Sequence, residues 1–373
     1  MTIEVLGMVS TSHGSESVGW QGGPVVDVDY LTKFAQAHDR SGFDRILVAH
    51  GASSPDGFAV AAHCLYNTER AGVLIAHRPG FVAPTQAARK LATLEHLTGE
   101  GRVAIHHITG GSDTDQARDG DFVDKDSRYR RTAEFMEVLR RTFESSEPFD
   151  FDGEFYTFKG AISSVRPLHQ GSIPLYFGGQ SDPAIEVGGA QADVFALWGE
   201  PLADTAERIA LIRESAARHG RTVEFSLSTR PIIAETEDAA WERAAGILDA
   251  AQARVDAGGP IRPGIKRHGV ENTAVGAARL REKAAEKDVH DERLFFGVTR
   301  VTGGGGNSTG HVGTPQQVVD ALLAYYDLGV TKFLIRGFDP LRDVEEWGEE
   351  LIPLLRKGAA ERGTPTPRLA VSA

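Results

Sequence analysis

Residues 72–108 read GVLIAHRPGFVAPTQAARKLATLEHLTGEGRVAIHHI and contain one complete strand–helix–strand unit. The runs 72–76 and 102–108 are short and rich in β-branched residues, whereas 85–97 repeats its apolar positions with helical spacing. Both runs are apolar on both faces of a strand, which is typical of parallel strands covered by helices. The segment therefore predicts an α/β fold built on a parallel sheet.

The same unit recurs along the chain of 373 residues. Eight short strands are predicted at 3–9, 44–49, 72–76, 102–108, 174–177, 192–197, 223–229 and 332–335. Helices are predicted at 29–40, 56–65, 85–97, 127–143, 183–190, 203–219, 237–253, 314–328 and 343–356. Eight strand–helix repeats are what a (β/α)8 TIM barrel requires, so we expect a single barrel domain over residues 1–373.

A barrel needs only about 250 residues, so the chain must carry insertions. One is predicted at about 149–167, where an Asp152-Gly153 turn joins two short strands that contain aromatic residues. The other is predicted at about 255–310 and ends in the glycine-rich run 303–310. Because glycine has little conformational preference, we expect this second insertion to form a mobile lid.

The composition is that of a folded globular protein, with 41% hydrophobic and 25% charged residues. The 40 Lys and Arg against 52 Asp and Glu give a formal net charge of −12. Nucleic acid is therefore not an expected partner, because phosphate backbones are bound through many Lys and Arg. The sequence has no apolar run long enough to cross a membrane. The single cysteine, Cys64, excludes an intramolecular disulfide and predicts a cytoplasmic location.

Histidine stands at four of the predicted strand ends, at His13, His50, His77 and the pair His106-His107. In a TIM barrel the carboxyl ends of the strands surround the active site, so these side chains are candidates for chemistry. Each one alone could also cap a strand with a hydrogen bond. A zinc hydrolase is a further interpretation, but the first strand end offers no His-x-His pair, and we expect no metal.

A second candidate site begins where the predicted strand 174–177 runs into Gly178-Gly179-Gln180-Ser181. A helix then opens at Pro183, and proline is favoured at the first helical position. Backbone amides at a helix N-terminus, reached closely because glycine has no Cβ, can bind a phosphate. Arg128 and Tyr129 open a neighbouring helix and could complete the site. A plain tight turn is the alternative interpretation.

Several segments in order resemble a known family: 73–94 (VLIAHRPGFVAPTQAARKLATL), 101–103 (GRV), 127–129 (SRY), 175–182 (LYFGGQSD) and 311–315 (HVGTP), with Gly329, Val330 and Phe333. The chain is similar to the bacterial luciferase-like flavin-dependent monooxygenases and, among these, to the alkanesulfonate monooxygenases. The similarity runs from about Val5 to Leu355 and covers nearly the whole chain.

The resemblance implies an enzyme that binds reduced FMN delivered by a separate NAD(P)H:flavin reductase. O2 would react with the bound flavin to give a flavin peroxide, which inserts one oxygen atom into a small organic substrate. The resemblance also implies a homodimer or homotetramer. Three alternatives stay open: desulfonation of an alkanesulfonate, hydride transfer with a deazaflavin, which one branch of the superfamily uses, and a non-catalytic flavin-binding protein.

By the same resemblance, the FMN phosphate would lie against Arg128, Tyr129, Gly178, Gly179, Gln180 and Ser181. The isoalloxazine would lie against Met8, His50, His107 and Trp198. The candidate catalytic residues are His107, His50 and Arg230, and Arg230 is also a candidate substrate contact. The other substrate candidates are His13, Ser54, Arg300 and Phe338. Several cationic donors of the sulfonate enzymes are replaced or displaced, so the substrate class stays open.

Overall fold

The computed structural model describes residues 3–260, 274–304 and 306–365. Its strands are β1 (Glu4–Val9), β2 (Gly14–Ser15), β3 (Gly19–Trp20), β4 (Arg45–Val48), β5 (Gly72–His77), β6 (Val103–His107), β7 (Phe149–Asp152), β8 (Thr157–Ala161), β9 (Leu175–Gly178), β10 (Val194–Trp198), β11 (Glu224–Ile233), β12 (Val289–His290), β13 (Leu294–Phe295), β14 (Gly310–Gly313) and β15 (Val330–Ile335).

Helices alternate with the strands. They are α1 (Val28–Arg40), α2 (Gly57–Tyr66), α3 (Pro84–Thr98), α4 (Asp113–Arg118), α5 (Lys125–Glu144), α6 (Asp182–Gln191), α7 (Leu202–Arg218), α8 (Glu237–Asp256), α9 (Val275–Glu286), α10 (Gly297–Thr302), α11 (Pro315–Leu328), α12 (Pro340–Glu350) and α13 (Ile352–Arg362). Within the described part of the chain, no helix is long and apolar enough to cross a membrane.

Eight parallel strands close into a barrel in the order β10-β9-β6-β5-β4-β1-β15-β11, and β11 pairs back to β10. At the closing seam, Val194 lies between Tyr176 of β9 and Glu224 of β11. Each of the eight predicted strands is one of these barrel strands. The predicted TIM barrel is therefore confirmed, with helices covering the outside of the sheet.

The barrel interior is packed in layers. Its middle layer is an apolar cluster to which seven of the barrel strands contribute, namely Leu6, Leu47, Leu74, Ala104, Tyr176, Val194 and Leu334. Below it, at the amino ends of the strands, Glu4 forms ion pairs with Arg45 and Lys332, the latter at 2.8 Å. These charges fill the interior of the barrel at its base.

The first insertion contains the predicted hairpin, because β7 and β8 pair antiparallel with Phe151 opposite Phe158. The second insertion contains elements that were not predicted: α9, the antiparallel strands β12 and β13, and α10. Its glycine-rich run ends in β14, which pairs parallel with the extended end of β11. Residues 307–309 of this run are buried, and the proposed lid movement stays a prediction.

The last predicted helix, 343–356, is two helices in the structure. The helix α12 ends at Glu350, and α13 begins at Ile352 with Pro353 in its first turn. Proline has no amide hydrogen to donate and clashes with the preceding turn, so it interrupts a continuous helix. The break lets Trp347 and Leu355 both pack into the core between barrel and helices.

Candidate active site at the barrel mouth

The alternation of side chains along each strand decides which residues face the mouth of the barrel. Two positions beyond the interior cluster come Met8, Ala49, Ala76, His106, Gly178, Ala196 and Arg336, with Ser228 at the same level of β11. Most of these inward-facing residues are partly exposed, whereas their outward-facing neighbours, such as Val9 and Phe177, are buried. Because many of them are small, the carboxyl end of the barrel holds an open hollow.

His106 faces this hollow. A Cβ built on Gly178 would lie 3.5 Å from the His106 Cε1, which places the ring beside β9 and β10 inside the barrel. Burial lowers the pKa of His106 to about 4, so the ring is neutral at pH 7. Its Nδ1 is buried and has no hydrogen-bond partner among the described residues.

His107, the predicted ring contact and catalytic candidate, lies on the other face of β6. It is fully buried, its Nδ1 is 3.2 Å from the Tyr176 carbonyl oxygen, and its ring packs against Phe135 of α5. A residue on this face points into the layer between strands and helices. The structure therefore assigns the inward position to His106 in place of His107.

His50 and His77 extend the same outward-facing row. The ring of His77 packs against Phe58 of α2 and Phe135, and burial lowers its pKa to about 4. Burial also lowers the pKa of His50, a partly exposed residue that follows β4, and the positive charge of Arg78 contributes. In the part of the chain that the structure describes, no group of three potential ligands is placed to hold a metal ion.

The predicted phosphate cradle is formed by the turn between β9 and α6. Ser181 is the N-cap of α6 and its side chain makes no capping hydrogen bond. A Cβ on Gly179 would lie 2.5 Å from the Ala184 Cβ and 3.4 Å from the Tyr129 hydroxyl oxygen, so only glycine fits this close approach. The structure thus brings Tyr129, Gly179 and Ser181 together, as the sequence predicted.

The turn of the predicted cradle carries polar side chains that can contact a ligand. The buried Ser181 hydroxyl interacts with the Tyr129 hydroxyl, and the buried Oε1 of Gln180 has no hydrogen-bond partner among the described residues. Arg208 of α7 donates to the Gln180 carbonyl oxygen at 3.3 Å and places a buried cation behind the turn. The Ser181 and Tyr129 hydroxyls can donate to an anion at this turn, whereas the Gln180 Oε1 is an acceptor and needs a donor such as water.

Arg128, the other residue predicted to help the cradle, is held elsewhere. Its Nη1 donates to the Val123 carbonyl oxygen at 2.6 Å, and its Nη2 donates to Asp113 of α4 at 2.7 Å. These bonds tie α5 to the loop after β6. The two terminal nitrogens are therefore occupied within the protein, although the charge of Arg128 still acts on the neighbouring Tyr129.

Trp198 ends β10 and forms one wall of the mouth beneath α9. A Cβ on Gly276 of α9 would meet the Trp198 ring at 3.1 Å and the Gln180 Cγ at 3.0 Å. The indole also packs against a small apolar cluster that contains Leu280 and Phe296. The second insertion therefore covers both Trp198 and the phosphate cradle.

Arg230, the predicted cationic contact, forms a bidentate pair with Glu16. Its Nε and Nη2 each donate to the Glu16 carboxylate at 2.9 Å, and Nη2 also donates to the Gly306 carbonyl oxygen at 2.6 Å. Arg336 lies 3.0 Å from the same carboxylate. All three side chains meet at the mouth, and Glu16 is 6% exposed.

Of the remaining substrate candidates, only some lie close together in the structure. Met8, His13, Ser54 and Arg336 line one cavity beside β1 and β4. His13 is largely exposed, and its ring contacts Tyr30 in a tilted arrangement with ring centroids 3.9 Å apart. Phe338 packs into the core beside β11 and α8 and lines a second cavity with His13. Arg300 is exposed on α10, where it pairs with Asp288 at 3.2 Å.

Sequence reasoning missed Glu16 at the mouth and chose His107 over His106 as the ring contact. His106 was recognised as a strand-end histidine, but nothing in Val-Ala-Ile-His-His distinguishes the inward from the outward face, because both are buried in a parallel barrel. Glu16 lies in the loop after β1, where no periodic pattern exists. Only the pairing of a lone acidic residue with two strand-end arginines could have indicated it.

Comparison with known proteins agrees with this architecture. A riboflavin lyase structure solved with modified FMN and riboflavin superposes with a TM-score of 0.74 at 20% identity, covering 98% of this chain and 94% of that chain. EDTA monooxygenase from Chelativorans sp. BNC1 gives 0.73 at 18% identity, with coverages of 96% and 94%. An F420-dependent secondary alcohol dehydrogenase in complex with an F420–acetone adduct gives 0.67 at 17% identity, with coverages of 95% and 99%.

At these identities the structural likeness shows the shared fold. The sequence itself matches the model of the luciferase-like monooxygenase family over residues 5–332. This span begins in the first barrel strand and ends in the last, and it includes the cradle and the mouth. The chain therefore belongs to the luciferase-like monooxygenase family, a family of flavin-dependent enzymes.

Proposed function

We propose that this protein is a two-component monooxygenase that binds reduced FMN at the barrel mouth and oxidises a small organic molecule with O2. The observation that carries the proposal is the cradle at Gly178–Ser181, where the buried Ser181 and Tyr129 hydroxyls meet beside the N-terminus of α6 and where Gly179 leaves no room for a Cβ. A dianionic phosphate at the N-terminus of α6 would accept from the Ser181 hydroxyl and from free backbone amides.

The hollow beside the cradle fits the ring of such a cofactor. Met8, His106 and Trp198 surround it with apolar and aromatic groups, and Ala49, Ala76 and Ala196 leave room for a planar ring. When bound there, reduced FMN supplies the electrons that activate O2. The protein's own task is to hold the ring, exclude water and place the substrate.

His106 is the proposed acid–base residue of the mouth. Its low pKa makes the ring a neutral proton acceptor at pH 7, and its unpartnered Nδ1 is free to bond a cofactor or substrate atom. His107, which sequence reasoning proposed for this role, packs outward against Phe135, and His50 follows β4 in the same outward-facing row. Their proposed part is to position the strand ends.

The identity of the cofactor is the main alternative. An F420-dependent enzyme shares the fold, so a deazaflavin-dependent hydride transfer would use the same mouth. We favour FMN because the sequence matches the luciferase-like monooxygenase family. A separate flavin reductase as donor, a homodimer or homotetramer, and a cytoplasmic location remain part of the proposal.

Comparing FMN with riboflavin tests the cradle, since the two ligands differ only in the phosphate. Ser181→Ala should weaken binding of reduced FMN about tenfold, because a hydrogen bond to a charged oxygen is lost, and should change riboflavin binding less than about twofold. Anaerobic fluorescence titration measures both. Ser172→Ala, in an exposed loop, is the control. Equal losses for both ligands, or no loss for either, would contradict the proposed cradle.

A further inference from the structure

The pairing of Glu16 with two arginines bears on which substrates the mouth can accept. Arg230 lies on β11 where its pairing passes from β15 to β14, and Arg336 directly follows β15. The guanidinium groups of both residues reach Glu16 at the mouth. Two guanidinium groups converging on one point form a site for an oxyanion. In this protein the oxyanion is already present, because the Glu16 carboxylate receives Nε and Nη2 of Arg230 at 2.9 Å and lies 3.0 Å from Nη1 of Arg336.

The Glu16 carboxylate is firmly held. The two arginines keep its pKa down at about 2 in spite of complete burial, so it is ionised throughout the physiological pH range. The Ser308 hydroxyl adds a hydrogen bond from the glycine-rich run. Gly306 packs so closely that a Cβ there would lie 2.6 Å from the Glu16 Oε1.

An anionic substrate would have to compete with this internal carboxylate. Displacing Glu16 would leave a buried charge without its partners, and approaching without displacing it would bring two negative charges together. The carboxylate is also part of the chain, so its effective concentration at the arginines is far above that of any free ligand. Both routes disfavour carboxylates, sulfonates and phosphates.

The cavity next to the cluster of Glu16, Arg230 and Arg336 is lined mainly by apolar residues. Arg336 shares it with Met8, Val48, Val60 and Ile335, and its other polar side chains are hydroxyls, such as Ser54, and the rings of His13 and His38. This lining suits a mainly apolar molecule with one uncharged polar group, such as an alcohol, ketone or ester.

We propose that Glu16 is a specificity-determining residue that fills the di-arginine site and restricts the monooxygenase to uncharged, mainly apolar substrates. This inference rests on the proposed function only in treating the mouth as the substrate site. It excludes alkanesulfonates as the natural substrates, even though the sequence resembles the enzymes that use them.

The test compares 1-hexanol with hexane-1-sulfonate, two probes with the same chain and different head charge. Binding is measured by calorimetry without flavin, so the result does not depend on the cofactor assignment. The wild-type protein should bind hexanol at least tenfold more tightly than the sulfonate. Glu16→Gln should bind the sulfonate at least tenfold more tightly than the wild type does, with hexanol affinity within about threefold.

Glu4→Gln is the matched control, because Glu4 is also paired with two cations but lies at the closed base of the barrel. It should leave both affinities unchanged. The inference would be overturned if the wild-type protein bound the sulfonate as tightly as hexanol. It would also be overturned if a folded Glu16→Gln protein showed no increase in affinity for the sulfonate, even where the wild type binds neither probe. If Glu16→Gln does not fold, the wild-type comparison alone decides.

Failure of this inference and failure of the proposed function can be told apart. Tight sulfonate binding by the wild type, together with the Ser181-dependent preference for FMN over riboflavin, would leave a flavin enzyme with an anionic substrate. If the protein prefers hexanol but does not bind FMN, the proposed role of Glu16 in specificity stands and the proposed FMN cofactor is contradicted. The two experiments share no ligand and no variant.

Discussion

At the scale of single residues, one step along a strand separates two roles. His106 points into the barrel mouth, whereas His107 points outward and packs on Phe135. Sequence could place a histidine pair at the end of β6 but could not choose between them, because both faces of a parallel barrel strand are buried and the usual apolar–polar alternation is absent. The sequence therefore predicts which residue types lie at the barrel mouth, but not which of the two histidine side chains points into it.

Exchanging the two histidines for alanine separates these roles. His107→Ala should lower the free energy of unfolding by about 2–4 kcal/mol, because it empties a buried site beside Phe135, and should leave affinity for reduced FMN within about threefold. His106→Ala should cost little stability, because its site opens to the hollow, and should weaken FMN binding. Urea denaturation and anaerobic titration measure the two effects. If His107→Ala weakened FMN binding and His106→Ala did not, His107 and not His106 would be the residue that contacts the cofactor.

At the scale of elements, the eight strands and their helices were predictable and the second insertion was not. Each barrel strand is a short apolar run, and each covering helix repeats its apolar positions with helical spacing. Both patterns can therefore be read from a short window of sequence. The elements α9, β12, β13 and α10 carry weak patterns of two to twelve residues and are held by contacts to distant strands. Their positions depend on tertiary packing that no local window contains.

Asn307 shows how the second insertion is fastened to the barrel. Its side chain accepts from the Gly199 amide at 3.3 Å and donates to the Ser228 carbonyl oxygen at 2.9 Å, so it links the glycine-rich run to the ends of β10 and β11. A buried side chain with both polar atoms bonded fixes a loop that glycine alone would leave free.

Removing this link should release the segment. Asn307→Ala should increase amide hydrogen exchange in residues 303–310 at least tenfold, because the buried bonds to Gly199 and Ser228 are lost. Exchange in β6, on the opposite side of the mouth, should not change. Asn67→Ala, at the end of α2, is the control for loss of a loop asparagine. Unchanged exchange in 303–310 would show that backbone packing alone holds the run.

At the scale of the whole molecule, buried histidines make stability depend on pH. Burial lowers the pKa values of His38, His77 and His311 to about 4. Between about pH 6.5 and pH 4 the unfolded chain therefore binds protons that the folded protein does not, and stability falls as the pH falls through this range. Asp343, whose pKa burial raises to about 6, opposes this trend with a single group.

Replacing one buried histidine should flatten the pH profile. His77→Phe keeps an aromatic ring between Phe58 and Phe135 and removes one titrating group, so the slope of unfolding free energy between pH 6 and pH 5 should fall by up to about 1.4 kcal/mol per pH unit. Urea denaturation at several pH values measures the slope. The exposed His169→Gln is the control, and an unchanged slope in His77→Phe would show that His77 is protonated in the fold.

The barrel, the cradle and the mouth together support one central claim, that reduced FMN binds here and is oxidised under the protein's control. The most direct measurement mixes the protein anaerobically with reduced FMN, adds O2 and follows flavin absorbance in a stopped-flow instrument. We expect the bound flavin to be oxidised at a rate at least tenfold different from that of free flavin. At an FMN concentration near the wild-type Kd, Ser181→Ala should return the oxidation rate to that of free flavin. Oxidation at the free-flavin rate in the presence of excess wild-type protein would contradict the claim, and tight binding of reduced F420 in the same preparation would then identify the protein as a deazaflavin enzyme.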